Sequence, residues 1–370
     1  MNSMAIDRRS LLLGTLAFVG ATPMRGALAL GANDIAYVTA ARRADGSYTV
    51  LLLRADGSVL RDVPLSGRGH DIAIHRPSNK VAVFARRPGA FGVAFDLETT
   101  RQPVVFTPGE GRHYFGHGSF SQDGRVLYAS ENDIDSGDGV IGIYDVASGF
   151  KKIGEHPSYG TGPHEIMLLA DGKTIAVGNG GLDTVPDAGR ENLNVDTMEP
   201  SLAFVDRESG KLIAKHTMTG DLQSLSIRHV TQDATGLVWF GAQWEGSPSE
   251  TPQLVGSAGV DRAPKLIEPQ GKGGSDLKGY IGAMAVSADG RYIAASAPKA
   301  GHVLYVDTTT ATVVGQSNLK DVCGIAPEGQ QDFAASSGFG VVRYETARAS
   351  TITEHELQDI SFDNHLRRVG

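Results

Sequence analysis

Gly162-Pro163-His164-Glu165-Ile166-Met167-Leu168 decides the fold, because its histidine is the third of a series. His70, His117 and His164 stand 47 residues apart, twice over. Each follows a Gly or Pro and opens a short run: Asp71-Ile72-Ala73-Ile74, Gly118-Ser119-Phe120-Ser121 and Glu165-Ile166-Met167-Leu168. An interval of this length is the period of one β-propeller blade.

Working outward, each repeat divides into four β-rich runs, A to D from the axis outward, separated by turn residues. Blade one reads 71–75, 80–85, 91–96 and 103–107. Blade two reads 118–121, 125–130, 139–145 and 151–154, and blade three 165–169, 173–178, 201–206 and 211–216. The fourth has inner runs at 223–230 and 236–241, with less regular outer runs near 252–256 and 264–268. The fifth and sixth begin at 282 and 322. Asp123-Gly124, Asp171-Gly172 and Asp289-Gly290 fall between A and B, where a two-residue hairpin wants positive φ. N-terminal runs at 35–40, 48–53 and 58–63 lack an inner strand, and C-terminal Asp359-Ile360-Ser361-Phe362 is an inner strand lacking its outer three. Joined, they complete a seventh blade and close the ring, leaving no open sheet edge. The expectation is an all-β, seven-bladed propeller over residues 33–370. Eight blades is the rival, because of the irregular fourth repeat.

Composition agrees and excludes some functions. The 370 residues include 47 glycines and only 21% charged residues, a profile of short strands and tight turns. A net charge of −8 with no long basic run argues against nucleic acid as a partner. Cys323 is the single cysteine, so no intrachain disulfide forms. At the N-terminus, Arg8-Arg9 precedes an apolar run reaching about Val19, and Ala27-Leu28-Ala29 offers a cleavage site. This pattern over residues 1–29 resembles a twin-arginine export signal. It predicts a periplasmic mature protein without a transmembrane segment. That route carries proteins already folded, and a chain folded in reducing conditions does not depend on disulfides.

In a propeller the D–A connections and B–C loops share one face. The B–C loops of blades two to four are long and polar. They hold Glu131 and Asn132, then Arg190, Asn192 and Asn194, then Trp244 and Glu245. Long loops in an economical domain are usually functional. His70, His117 and His164 reach the same face at the entrances of inner strands, with Glu165 and His229 on inner strands too. Imidazoles converging on one axis beside carboxylates can hold Fe, Cu or Zn. The alternative is architectural: propeller histidines also lock the ring through backbone hydrogen bonds, as the Gly-His of WD40 repeats does. His117 lies six residues before Asp123 whereas His164 lies seven before Asp171, which predicts unequal orientations. Trp239 reads as blade packing and Cys323 as a small buried hydrophobe. The loop Asp133-Ile134-Asp135-Ser136-Gly137-Asp138 lacks the glutamate of a calcium-binding EF-hand and reads as a solvated acidic loop.

Several motifs resemble the exported bacterial propeller family known as domain of unknown function 1513. They include Gly116-His117-Gly118, Tyr128-Ala129-Ser130-Glu131-Asn132-Asp133 and Gly162-Pro163-His164-Glu165. Leu193-Asn194-Val195-Asp196-Thr197-Met198-Glu199-Pro200 and Leu225-Ser226-Ile227-Arg228-His229 match as well, as do Val238-Trp239-Phe240-Gly241 and Asp321-Val322-Cys323-Gly324. The resemblance implies twin-arginine export and a setting in periplasmic iron acquisition, beside imelysin-like and dihaem partners. It brings no reaction and no catalytic residues.

The leading expectation is therefore a periplasmic protein that binds a metal ion or metal complex on its loop-rich face. His70, His117 and His164 are the candidate ligands, supported by Glu165 and His229. Arg190 and Arg228 are placed to meet an anionic chelator. The alternatives are a metal-dependent, lactonase-like hydrolase using Glu131, Asn132, Asn179, Asn192 and Asn194, and a scaffold for envelope partners.

Overall fold

Twenty-eight strands form seven four-stranded antiparallel sheets in the computed structural model, which describes residues 34–184, 193–250, 252–268 and 277–370. Residues 1–29, read as an export signal, lie outside the described residues, as do Arg190 and Asn192. No helix among the described residues is long and apolar enough to cross a membrane.

The inner strands are β4 (Gly69–His75), β8 (Arg112–Phe120), β12 (Pro163–Leu168), β16 (Leu225–Gln232), β20 (Ala283–Val286), β24 (Val322–Glu328) and β28 (Ile360–Arg368). Each is followed outward by the next three strands of its blade, except β28. β28 pairs instead with β1 (Tyr37–Arg43), from Tyr37 opposite Arg368 to Arg43 opposite Ile360. β2 (Tyr48–Leu53) and β3 (Val59–Leu65) complete this blade, so both chain ends close the ring as the sequence predicts.

The fourth repeat is a regular blade. β18 (Val255–Gly259) and β19 (Arg262–Leu266) complete the sheet begun by β16 and β17 (Val238–Trp244), which removes the eight-bladed alternative. Gly124, Gly172 and Gly290 have φ of +67°, +66° and +73°, the left-handed geometry their hairpins require. Apolar side chains from successive sheets interlock between blades. One cluster joins Trp239, Phe240 and Ile227 to Ile281 and Ile293 of the next blade. Trp239 is fully buried and donates its indole N–H to Asp233 over 2.8 Å, so it packs a blade as expected. Cys323 is buried, with its thiol facing the Asp321 carbonyl.

His70 and His164 stand at the second positions of β4 and β12, the strand entrances expected for them, whereas His117 differs. β8 begins at Arg112, six residues before the predicted run, so His117 lies well inside its strand rather than at the entrance. His229 lies on the inner strand β16, as expected, at an internal position.

Candidate metal centre in the channel

Six of the seven inner strands are bulged where they face the axis. In β4, Gly69 to Ile72 spans what Ala85 to Val83 spans in β5 (Lys80–Ala85), so one residue is extra around His70-Asp71. β12 carries one extra residue between Pro163 and Glu165, and β16 one between Ile227 and His229. β8 carries two between Tyr114 and Gly118, and β28 two between Phe362 and Leu366. β24 is bulged between Val322 and Ile325, while β20 pairs without interruption. A bulge breaks the in–out alternation and re-aims side chains. Here neighbouring residues such as His70-Asp71 and His164-Glu165 are both buried at the axis.

Five imidazoles result, one each from β28, β4, β8, β12 and β16. Their centroids make a closed circuit: His365 to His70 4.7 Å, His70 to His117 4.9 Å, His117 to His164 4.9 Å, His164 to His229 4.9 Å, and His229 back to His365 5.0 Å. The larger bulge of β8 absorbs the one-residue offset between His117 and His164. Gly116 makes room, because a Cβ there would lie 2.7 Å from Cδ2 of His70.

Three carboxylates hold this ring from outside. Asp71 accepts from Nδ1 of His117 over 2.9 Å, and Glu165 accepts from Nδ1 of His229 over 3.0 Å. Asp363 faces Nδ1 of His70 at 3.2 Å. Arg367 ties the first two together: Nε and Nη2 each reach Asp71 over 2.7 Å, and Nη2 reaches Glu165 over 2.9 Å. Arg68 and Arg86 pair with Asp363.

These contacts fix where the protons sit. An ionised carboxylate only accepts, so the facing Nδ1 carries hydrogen and a neutral ring presents its lone pair at Nε2. Burial, reinforced by neighbouring imidazoles, drives His70 and His164 well below the ordinary imidazole range. Burial does the same to His365, against the pull of Asp71, and lowers His229 against the pull of Glu165. Burial opposes ionisation of Asp71, yet Arg367, His365 and His117 hold its carboxyl well below the usual carboxylate range. Glu165 is lowered in the same way, by His117, His229 and Arg367 against burial. Asp71 and Glu165 thus share one guanidinium, which leaves excess negative charge beside the ring.

Within this cluster four buried imidazole nitrogens have no hydrogen-bond partner: Nε2 of His117, His229 and His365, and Nδ1 of His164. Leaving one buried polar atom unsatisfied costs about 1–3 kcal/mol. Four together would rival the whole stability of a domain, about 5–15 kcal/mol. Nε2 of His117 and of His229 are lone-pair acceptors by these contacts, and a cation held between imidazoles satisfies such acceptors. The ligand atoms of His70, His117 and His164 lie within 4.8 Å of one another, as do those of His117, His229 and His365, and of Asp71, His117 and Glu165. An imidazole whose second nitrogen is held by a carboxylate is the usual state of a metal-ligating histidine. Imidazole and carboxylate donors without thiolate suit Zn, Cu or Fe.

The site is therefore inside the channel rather than on the loops. The structure brings together His70, His117, His164, Glu165 and His229. It adds Asp71, His365 and Arg367, with Asp363 behind His70. Asp71 was signalled by His70-Asp71, which has the same form as His164-Glu165.

The loop candidates go elsewhere. Glu131 is buried within its own blade, bonded to Tyr144 and to Lys152. The pull of Lys152 does not overcome burial, and its carboxyl stays raised. Asn132 is buried beside it in β9 (Val126–Asp133), with both amide atoms unpartnered. Asn179 donates to the Ser158 carbonyl, and Asn194 bonds Gly181 and Asp183 to shape its loop. These four do not join the imidazole ring, so the lactonase-like arrangement is not assembled from them. Arg228 pairs with Glu245 over 2.8 Å, and its charge helps to lower His164. Trp244 is half-buried and donates to the Ser247 carbonyl. The Asp133 carboxylate caps its own loop through the amides of Asp135 and Ser136.

Comparison with known proteins places the chain in a family. It belongs to DUF1513, described as a protein of unknown function, whose model matches residues 63–369. Comparison with curated proteins gives no match. Among solved structures, Kuenenia stuttgartiensis hydrazine synthase is similar with a TM-score of 0.61, covering 93% of this chain and 100% of that one. Identity is 14%, so the likeness speaks for the propeller fold alone.

Proposed function

We propose that this member of the DUF1513 family is a metal-binding propeller that holds a transition-metal ion inside its channel. The observation that carries the reading is the cluster of five buried imidazoles, four of whose nitrogens lack a partner, in which two three-histidine groups sharing His117 each bring their donor atoms within 4.8 Å of one another. Fe, Cu and Zn are the candidate ions, since all three accept imidazole with a carboxylate nearby. His117 is the central ligand, because it belongs to both three-histidine donor groups. Asp71, Glu165 and Arg367 orient the rings and set the local charge.

The setting we propose is the periplasm, reached by the twin-arginine route. Arg8-Arg9 followed by an apolar run and Ala27-Leu28-Ala29 support this. An exported protein of this kind would acquire or hand on the metal beside other envelope proteins, and iron is the cargo that the family's setting favours. The deep burial of the donors suits retention of an ion better than rapid turnover of a substrate.

The test is elemental analysis of mature protein purified from its native periplasm without a histidine tag. A His70/His117/His164 triple-alanine variant, checked for folding by circular dichroism, is run beside it. Near-stoichiometric Fe, Cu or Zn that disappears in the folded variant is expected. Metal-free native protein that also fails to take up all three ions in titration would overturn the reading.

A further inference from the structure

A second candidate site lies on the face of the B–C loops and D–A connections, over the two blades that give the ring no histidine. The connection between β21 (Tyr292–Ala297) and β22 (His302–Asp307) supplies Lys299. The connection between β23 (Thr312–Asn318) and β24 supplies Lys320. Phe339 comes from the turn before β26 (Val341–Thr346), and Lys278 from the segment preceding β20. With His302 they line an open groove of about 690 Å³.

The charge of this groove runs against that of the chain. The whole sequence carries −8, yet three lysines line one concavity whose single acid is Asp321. Among the described residues none of the three forms an ion pair. Lys80 and Lys152, by contrast, are matched to Asp96 and Glu131. Lys320 sits 4.4 Å over the Phe339 ring, and Lys299 lies 5.4 Å from the Tyr280 ring. Aromatic faces hold both ammonium groups in place without neutralising them. Phe339 is 54% exposed, an apolar wall left open beside the charges. His302 lines the same groove, and its Nδ1 is buried without a partner.

We propose that this groove binds a small, multiply charged oxyanion of the polycarboxylate or polyphosphate class. Three ammonium groups lining one groove, against the single carboxyl of Asp321, act as point charges, which suits several negative oxygens rather than one planar fork. The Phe339 wall accommodates the carbon backbone or flat face of the ligand. The groove is tied to the channel: Asn364, beside His365, donates to the Tyr280 hydroxyl over 3.1 Å.

The experiment is calorimetric titration of metal-free protein with citrate and, separately, with pyrophosphate at low salt. A Lys299→Ala/Lys320→Ala double variant and a His164→Ala variant are titrated alongside, each checked for native circular dichroism. At least one anion is expected to bind with a sub-millimolar Kd. The lysine variant should weaken it about tenfold or more, 150 mM salt should weaken it further, and His164→Ala should leave it unchanged. Citrate binding alone identifies the polycarboxylate class and pyrophosphate alone the polyphosphate class. No binding of either anion would overturn the proposal, as would equal binding by the lysine variant. Binding lost in His164→Ala would also overturn it, by moving the anion into the channel. Metal binding by the ring is read separately, so the failure of one site does not mimic failure of the other.

Discussion

At the residue scale, the charge balance of the channel turns on Arg367. It bonds Asp71 twice and Glu165 once, and both carboxylates are nearly inaccessible to water. Removing one partner of a buried ion pair leaves an uncompensated charge and typically costs about 3–5 kcal/mol. Arg367→Met should therefore lower the stability of the metal-free protein by roughly 3 kcal/mol in urea denaturation. A loss under about 0.5 kcal/mol would show that the fork does little. The imidazoles give a pH prediction. Burial holds His70, His164 and His365 well below the ordinary range, and His229 below it. The unfolded chain takes up protons at these residues near pH 6.5, while the folded chain does not. Below that pH the unfolded state binds more protons, so stability falls as pH falls, by up to about 1.4 kcal/mol per histidine at pH 5.5. Metal-free protein should lose more than about 2 kcal/mol between pH 7 and pH 5.5, and a flat profile would contradict neutral burial.

At the element scale, the bulges make the site. A regular strand sends alternate residues to opposite sides, so His164 and Glu165 could not both serve the axis without an extra residue between Pro163 and Glu165. Gly116 is the test position. Its φ is +104°, and a Cβ would press on His70. Gly116→Ala should cost about 1–3 kcal/mol and weaken metal uptake, measured by thermal unfolding and by metal titration. Unchanged uptake would mean that the position of His70 is immaterial. The bulges also explain what the sequence hid. The 47-residue interval exposed His70, His117 and His164, and the hairpin signals exposed the blades. His365 stayed hidden because the alternation of the last strand ends at Phe362, where a two-residue bulge begins. Arg367 lies beyond that bulge and was lost with it. The polar loops misled for a related reason: Glu131 and Asn132 read as loop residues, but β9 extends to Asp133 and buries them within the sheet.

At the scale of the whole molecule, closure of the ring and assembly of the site are one event. β28 completes the seventh blade and also delivers Asp363, His365 and Arg367 to the axis. Deleting residues 359–370 should expose β1 as an open edge and remove one imidazole and the guanidinium fork. The truncated protein should aggregate or unfold at lower temperature by size-exclusion chromatography and circular dichroism. A monomer of native stability would show that the seventh blade is dispensable. The central claim is that the imidazole ring holds a metal, and the most direct measurement is anomalous diffraction from crystals loaded in turn with Zn, Cu and Fe. The account predicts a peak on the channel axis, with Nε2 of His117 at about 2.0–2.2 Å and at least two further imidazoles bound. Loaded crystals without an axial peak, with the five rings satisfied by water and backbone, would contradict it and leave the histidines as parts of the ring's architecture.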